Sequence, residues 1–178
     1  MPDDRSSAAP TVVRLSQYTK ADQEEILGNG DDPFGAAPTG LTWLPKEEHF
    51  GIRHEDRLVA HTGLLRLPVA IGDTKTEVVG VGGVAVAPSM QGQGLARLVV
   101  TAALEHARTM GPQHALLFCR PPLVSLYQRL GWHPLDRDVL VEQPEGRLAI
   151  MPLRTMVTPL HDNARWPSEP VRLFSLPM

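Results

Sequence analysis

Residues 84–109, VAVAPSMQGQGLARLVVTAALEHART, constrain the fold more tightly than any other stretch of the chain. The opening Val and Ala residues read as a strand, and Pro88 cannot donate to a sheet ladder, so the strand ends there. Gln91, Gly92, Gln93 and Gly94 follow, and the two glycines let backbone N–H groups turn inward with no Cβ in the way. Leu95, Leu98, Val99, Ala102, Ala103 and Ala107 then recur at helical spacing, which predicts a helix of roughly four turns. A strand that feeds a glycine-rich turn at a helix N-terminus is an anion site. Unpaired amides and the positive end of the helix dipole face the ligand.

The surrounding residues narrow the anion. A P-loop needs Gly-Lys-Ser/Thr, and that triplet is absent. The dinucleotide fingerprint needs a third glycine where this chain has Arg97, and an acid at the end of the next strand, which ends instead at Cys119-Arg120. The spacing Gln91-x-x-Gly94-x-Ala96 resembles the Q/R-x-x-G-x-G/A loop of the GNAT superfamily of N-acetyltransferases. Ser125-Leu126-Tyr127-Gln128-Arg129-Leu130-Gly131-Trp132 is similar to the L-Y-x-x-x-G-[FW] segment of the same superfamily, in the right order and at a plausible separation. The resemblance implies an α/β (α+β) fold: a mixed, mostly antiparallel central sheet, splayed at an acetyl-CoA cleft and flanked by helices.

Composition agrees with one ordinary globular domain. The chain has 178 residues, 42% hydrophobic and 21% charged, enough to bury a sizeable core. A formal net charge of -3 and the lack of any basic run point to no nucleic acid and no anionic membrane as partners. The single cysteine, Cys119, permits no internal disulfide and fits a reducing compartment. With no apolar run near the ~18 residues of a membrane span and a polar rather than signal-like start, a soluble cytoplasmic protein is expected. No metal is expected either, since His49 and His54 sit five apart without ligand-like partners.

Local signals place the elements. Residues 1–10 read as a disordered lead, 11–154 as the acetyltransferase domain and 155–178, with Pro159, Pro167, Pro170 and Pro177, as an irregular tail packing on it. A short edge strand is expected over 11–15, then a helix capped by Ser16 and running to about Leu27. Strands are expected over 49–53, 57–70, 76–87 and 114–119, the middle two joined through Gly72-Asp73. Pro121-Pro122 suits the first turn of a shorter helix ending at Gly131. A hairpin over 138–143 and 147–151 closes around Pro144-Glu145-Gly146.

By the resemblance, acetyl-CoA lies where strands 76–87 and 114–119 part. Gln91, Gly92, Gln93, Gly94, Leu95 and Ala96 hold its pyrophosphate; Val84, Ala85 and Val86 border its pantetheine arm, and the Val86 amide meets the acetyl carbonyl. Such a backbone donor is worth several kcal/mol to a developing oxyanion. Tyr127 matches the tyrosine near the thioester sulfur. A phenol near pKa ~10 cannot readily protonate a finished thiolate near ~8.5, but it can donate a hydrogen bond as charge builds on sulfur. The other role for Tyr127 is as a core residue against Trp132. Arg120 either contacts cofactor phosphate or is a solvated charge.

The acceptor side carries weaker signals. Val59-Ala60-His61, Gly83-Val84-Ala85-Val86, Leu126-Tyr127 with Gly131-Trp132 and, less closely, Asn163-Ala164-Arg165-Trp166 resemble the aminoglycoside 2'-N-acetyltransferases. Those enzymes carry a glutamate where this chain has Gly82, so a strong carboxylate base is missing. Its absence is tolerable for amines near pKa ~8 and not for a lysine near ~10.4. His61 either relays a proton through water or is a satisfied core residue. Acidic candidates to line a cationic sugar are Asp31, Asp32, Glu142, Glu145 and the carboxylate of Met178. Gly82 and Gly83 border the acceptor, and Trp43 and Trp166 either stack on sugar rings or pin loops. Ala60-His61-Thr62-Gly63-Leu64-Leu65 also resembles the nodulation N-acyltransferases. The expectation is therefore an acetyl-CoA-dependent N-acetyltransferase acting on an aminoglycoside in a ternary complex, hence an antibiotic-resistance enzyme. Acylation of another amino sugar or amine is one alternative, and a non-catalytic acyl-CoA-binding module is another; a homodimer is left open.

Overall fold

A computed structural model of the chain describes residues 9–28, 34 and 36–178. Most of the expected lead, and Asp31 and Asp32, lie outside the described residues. In chain order, β1 (Val12–Leu15) is followed by α1 (Lys20–Leu27), then β2 (Glu48–His54), β3 (Arg57–Ile71) and β4 (Thr74–Val86). α2 (Leu95–Ala107), β5 (His114–Cys119) and α3 (Val124–Arg129) come next. β6 (His133–Pro134), β7 (Val139–Gln143), β8 (Arg147–Ile150), β9 (Arg154–Pro159) and β10 (Val171–Leu173) complete the chain.

Ser16 does not cap α1. Thr19 does, because Thr19-x-x-Asp22 closes a reciprocal pair that Ser16 has no acid to make. The Asp22 amide donates to Thr19 Oγ1 at 3.2 Å, and the Thr19 amide donates to Asp22 Oδ2 at 2.7 Å.

The strands form one 10-stranded sheet in the order β6-β9-β5-β4-β3-β10-β7-β8, with β2 joining β3 and β1 joining β2. β3 is long enough to serve two neighbours on one edge. Its first half pairs with β2, and its last three residues pair antiparallel with β10. The β3–β4 and β5–β9 pairs are antiparallel, whereas β4 and β5 run parallel, so the sheet is mixed. The middle strands read as nearly unbroken apolar runs because both faces are covered. On one face Val79, Val81, Ala115 and Leu117 pack with Val99 and Ala103 of α2. On the other, Val78 and Leu116 pack with Val139, Val141 and Leu173.

The tail expected to be irregular is part of this sheet. β9 pairs with β5 over its whole length, and β10 joins β3 to the β7–β8 hairpin. Pro159 and Pro170 sit at the end of β9 and just before β10, where the missing N–H breaks no central ladder. No helix among the described residues is long and apolar enough to cross a membrane.

Leu173 is fully enclosed where β10 joins β3 and the hairpin. Leu173→Ala should cost about 3 kcal/mol of stability, measured by urea denaturation; a change below about 0.5 kcal/mol would show that β10 is peripheral to folding.

Candidate active site

β4 and β5 share only two registered pairs, Val79 with Ala115 and Gly80 with Leu116. Past these, β4 stays with β3 and β5 stays with β9, so a split opens between them. A bulge accompanies the split: the β3–β4 register shifts between His61 and Gly63, where β4 holds one residue more. Gly83 takes the extra position with φ +61°.

Two cavities border the split. The larger, about 510 Å³, is walled by Val84, Ala85 and Val86 on one side and by Gln91, Gly92, Gly94, Leu95 and Ala96 on another. The smaller, about 150 Å³, is bordered by Trp43, Lys46, Gly82, Gly83 and Met178. Val84, Leu123 and Tyr127 line both. At the turn, Gly92 and Gly94 have φ of +80° and +79°, a region in which a side chain is strained. No side chain caps α2, and its first internal bond runs from the Leu98 amide to the Gly94 carbonyl. The preceding first-turn amides therefore have no helical acceptor, and they border the larger cavity. Arg97, Arg120 and Arg129 stand around it. An open amide nest ringed by three guanidiniums suits an extended ligand with several phosphate charges.

The chain matches the family model "Acetyltransferase (GNAT) domain" over residues 16–135. It belongs to the GNAT acetyltransferases. Among solved structures, the Escherichia coli GNAT family N-acetyltransferase YhbS, in complex with CoA, is 22% identical with a TM-score of 0.52, over 74% of this chain and 73% of that one. The E. coli ribosomal-protein-S18-alanine N-acetyltransferase is 16% identical with a TM-score of 0.54, over 87% and 99%. E. coli ElaA is 18% identical with a TM-score of 0.54, over 84% and 99%. At these identities the likeness is one of fold. No curated protein matches the chain. As a GNAT enzyme the protein is an acetyl-CoA-dependent N-acetyltransferase.

The structure brings together most of the residues expected to hold the cofactor. Val84, Ala85, Val86, Gln91, Gly92, Gly94, Leu95, Ala96 and Arg120 all border the larger cavity, whereas Gln93 does not. Val86 borders that cavity alone. Tyr127 is nearly enclosed, with its ring edge-to-face against Trp132 at 6.2 Å, so it is both a core residue and a wall of each cavity. Burial raises its pKa and keeps the phenol protonated. Cys119 borders the smaller cavity, but burial pushes its thiol up to about 11, which leaves it a poor nucleophile.

The structure does not bring His61 to either cavity. Its ring stacks on Tyr18, centroids 3.5 Å apart and planes 6° apart. Nδ1 lies 2.8 Å from the Gly83 carbonyl, which can only accept, so Nδ1 carries the hydrogen. Nε2 then accepts from His49 Nδ1 at 2.9 Å. With both nitrogens engaged and the ring 1% exposed, His61 holds the bulge from behind the Gly83 wall of the smaller cavity.

The acidic candidates are also dispersed. Glu142 pairs with Arg172 at 3.5 Å, and Glu145 sits exposed in the hairpin turn with φ +66°. Trp166 meets His114 edge-to-face at 5.2 Å, away from the split, so it pins the tail. Trp43, Gly82, Gly83 and Met178 do border the smaller cavity.

Sequence reasoning missed Lys46, Arg97 and Arg129. The two arginines could have been found, because Arg97 lies three residues from the motif Gly94 and Arg129 two from Tyr127. Lys46 stands in a loop without periodicity, and nothing local marks it.

Gly94→Val should weaken CoA binding at least about tenfold by calorimetry. A Cβ there meets no protein atom within 4 Å, so the effect comes from the +79° φ and from the side chain standing among the amides. Unchanged affinity would remove the turn from the cofactor site. The pH dependence of stability has a defined sign. Burial above all holds His61 at about 4, below its ordinary 6.5. The unfolded chain therefore binds a proton between these values that the folded chain does not. Stability is full above pH 6.5 and should fall by about 3 kcal/mol as pH drops toward 4. Urea titrations at pH 7 and 4.5 test this, and His61→Gln should flatten the difference.

Proposed function

We propose that the enzyme acetylates the primary amine of a small acceptor that is not a polycation, which enters through the cavity beside Trp43 and attacks directly in a ternary complex. The observation behind this reading is that the cofactor cavity and the smaller cavity meet at Val84, Leu123 and Tyr127. A donor and an acceptor arriving from opposite sides would touch only there.

Acetyl-CoA, when bound, supplies an activated acetyl thioester. The amides of residues 91–96 would hold its diphosphate, with Arg97, Arg120 and Arg129 beside them. Main-chain groups of residues 84–86 would align its arm. An amide of this strand donates toward the oxygen on which negative charge develops. Val84 borders both cavities and Val86 only one, which favours Val84 for that donor. Tyr127, held protonated by burial, donates toward the departing sulfur. Leu123 and the strand walls keep water from the meeting point.

An aminoglycoside acceptor, the expectation from sequence, finds less support. A polycation needs carboxylates, and no Asp or Glu side chain borders the smaller cavity among the described residues. The lining is aromatic and aliphatic, with one lysine.

Thiol release from acetyl-CoA, followed over a panel of small amines and aminoglycosides, tests the reading. Turnover of the small amines is expected; turnover confined to aminoglycosides would overturn the acceptor class. No turnover despite tight CoA binding would leave an acyl-CoA-binding module. Tyr127→Phe should lower kcat on the order of 10²-fold while CoA still binds. Full activity in that variant would return Tyr127 to a packing role.

A further inference from the structure

Gly63 of β3 and Gly82 of β4 are partners across the ladder. Neither has a Cβ, and the stem of Lys46 lies in the trough this leaves. A Cβ on Gly63 would meet Lys46 Cβ and Cγ at 2.6 Å, and one on Gly82 would meet Cε at 2.6 Å and Nζ at 3.1 Å. Two glycines are therefore what allow this side chain to cross the sheet. The backbone around it is fixed: the Leu44 amide donates to the Pro177 carbonyl at 2.6 Å, and the Glu47 amide to the Leu64 carbonyl at 2.9 Å.

The side chain thus ends at the wall of the smaller cavity. Among the described residues the Lys46 side chain makes no ion pair and no hydrogen bond. Met178, whose main-chain oxygen is 3.7 Å from the Gly82 Cβ position, forms no ion pair with it. A half-buried ammonium that forms no ion pair loses part of its hydration without recovering it, and burial holds Lys46 below the ordinary lysine value. An anion brought by the acceptor would remove that cost.

We infer that Lys46 anchors the acceptor by its anionic group, so that the acceptor is an amine carrying a carboxylate a few bonds away. The inference rests on the reading of the smaller cavity as the acceptor entrance. Lys46 ends against Gly82, two residues from Val84, where the two cavities meet, so the anchored charge and the attacking nitrogen belong to one small molecule. Lys46 acts here as a binding residue: paired with a carboxylate it is held charged, and so it is not the base.

The test compares α- and β-amino acids with their carboxamides on the full chain. Binding to the CoA-loaded protein is read by ligand-observed NMR, and KM and kcat by thiol release. The carboxamides have the less basic amines, so a preference for the acids does not arise from amine deprotonation. Wild type should prefer acids over amides by about tenfold or more in binding and KM. Lys46→Met should erase that preference, with the loss in KM, and Lys46→Arg should keep part of it. Gly82→Ala, which displaces only the flexible end of Lys46, should weaken the preference in a protein that melts normally. Equal binding of acids and amides to wild type, a preference that survives Lys46→Met, or a uniform fall in kcat on both series would each overturn the anchor. Calorimetry with CoA separates the two levels: a chain that binds CoA but shows no acid preference loses only the anchor, whereas one that does not bind CoA loses the cofactor site beneath it.

Discussion

β4 and β5 hold each other at two residue pairs and then part, and both cavities depend on that parting. Each strand is committed elsewhere, β4 to β3 and β5 to β9, so neither can follow the other. Along residues 81–86 the edge of β4 that would face β5 borders open space. Main-chain donors and acceptors that leave water need partners. An unpaired strand edge accepts any extended ligand with amides of its own, much as it would accept another strand. The pantetheine arm of the cofactor is such a ligand. Laid there, as proposed above, it would pair with main-chain groups alone and need no dedicated side chains, which would account for how plain Val84, Ala85 and Val86 are.

The bulge in β4 shapes the acceptor side of the same split. The extra residue at Gly83 turns its carbonyl toward His61, while the Gly82 carbonyl accepts from Thr62 Oγ1 at 3.2 Å. A side chain at Gly83 would press on His61 Cε1 at 3.3 Å. The neutral ring with its hydrogen on Nδ1 satisfies the Gly83 carbonyl and accepts from His49. Protonating it would require His49 Nδ1 to accept instead and would put a charge in an enclosed site. One imidazole thus ties the bulge to Tyr18 and β2, and its resistance to protonation is part of what keeps the split in place.

The sheet's centre and the glycine turn ahead of α2 were legible in the sequence, because their signals are local. Apolar runs bounded by Gly72-Asp73 and Pro88 leave few options for strands, and glycines ahead of an amphipathic helix leave few for the turn. The tail was not legible. β9 is a central-sheet strand, yet Pro159, Pro167 and Pro170 around it suggest a loop to any local reading. Proline weakens a strand only where its N–H would be used, and only the pairing partner reveals that. The acidic residues misled for a related reason: Glu142 and Glu145 lie near each other in sequence, but their destinations, Arg172 and an exposed turn, depend on where β7 and β8 fall in the sheet. Lys46 was invisible because its path is defined by the facing absences at Gly63 and Gly82, nineteen residues apart, and a missing side chain carries no periodicity.

The absence of any Asp or Glu side chain from the smaller cavity, among the described residues, bears on how the proton leaves the amine. Neither Asp, Glu nor His borders it among the described residues, and Tyr127 and Cys119 are held protonated by burial. None of these groups can take a proton from an ammonium at neutral pH. The acceptor must then arrive as the free amine, or lose its proton to water as it enters. An amine near pKa ~8 reaches that form at little cost, whereas one near ~10.4 loses about 3 kcal/mol more to the prior equilibrium. Lys46 accentuates the selection, since a cation beside the cavity disfavours an incoming ammonium and favours the neutral amine. A carboxylate on the acceptor offsets that repulsion but makes its own amine more basic, an effect that pairing with Lys46 cancels in part. The same lysine can therefore attract the acceptor by its acid group and help keep its amine unprotonated, a task for which the glutamate missing at Gly82 would be the wrong charge.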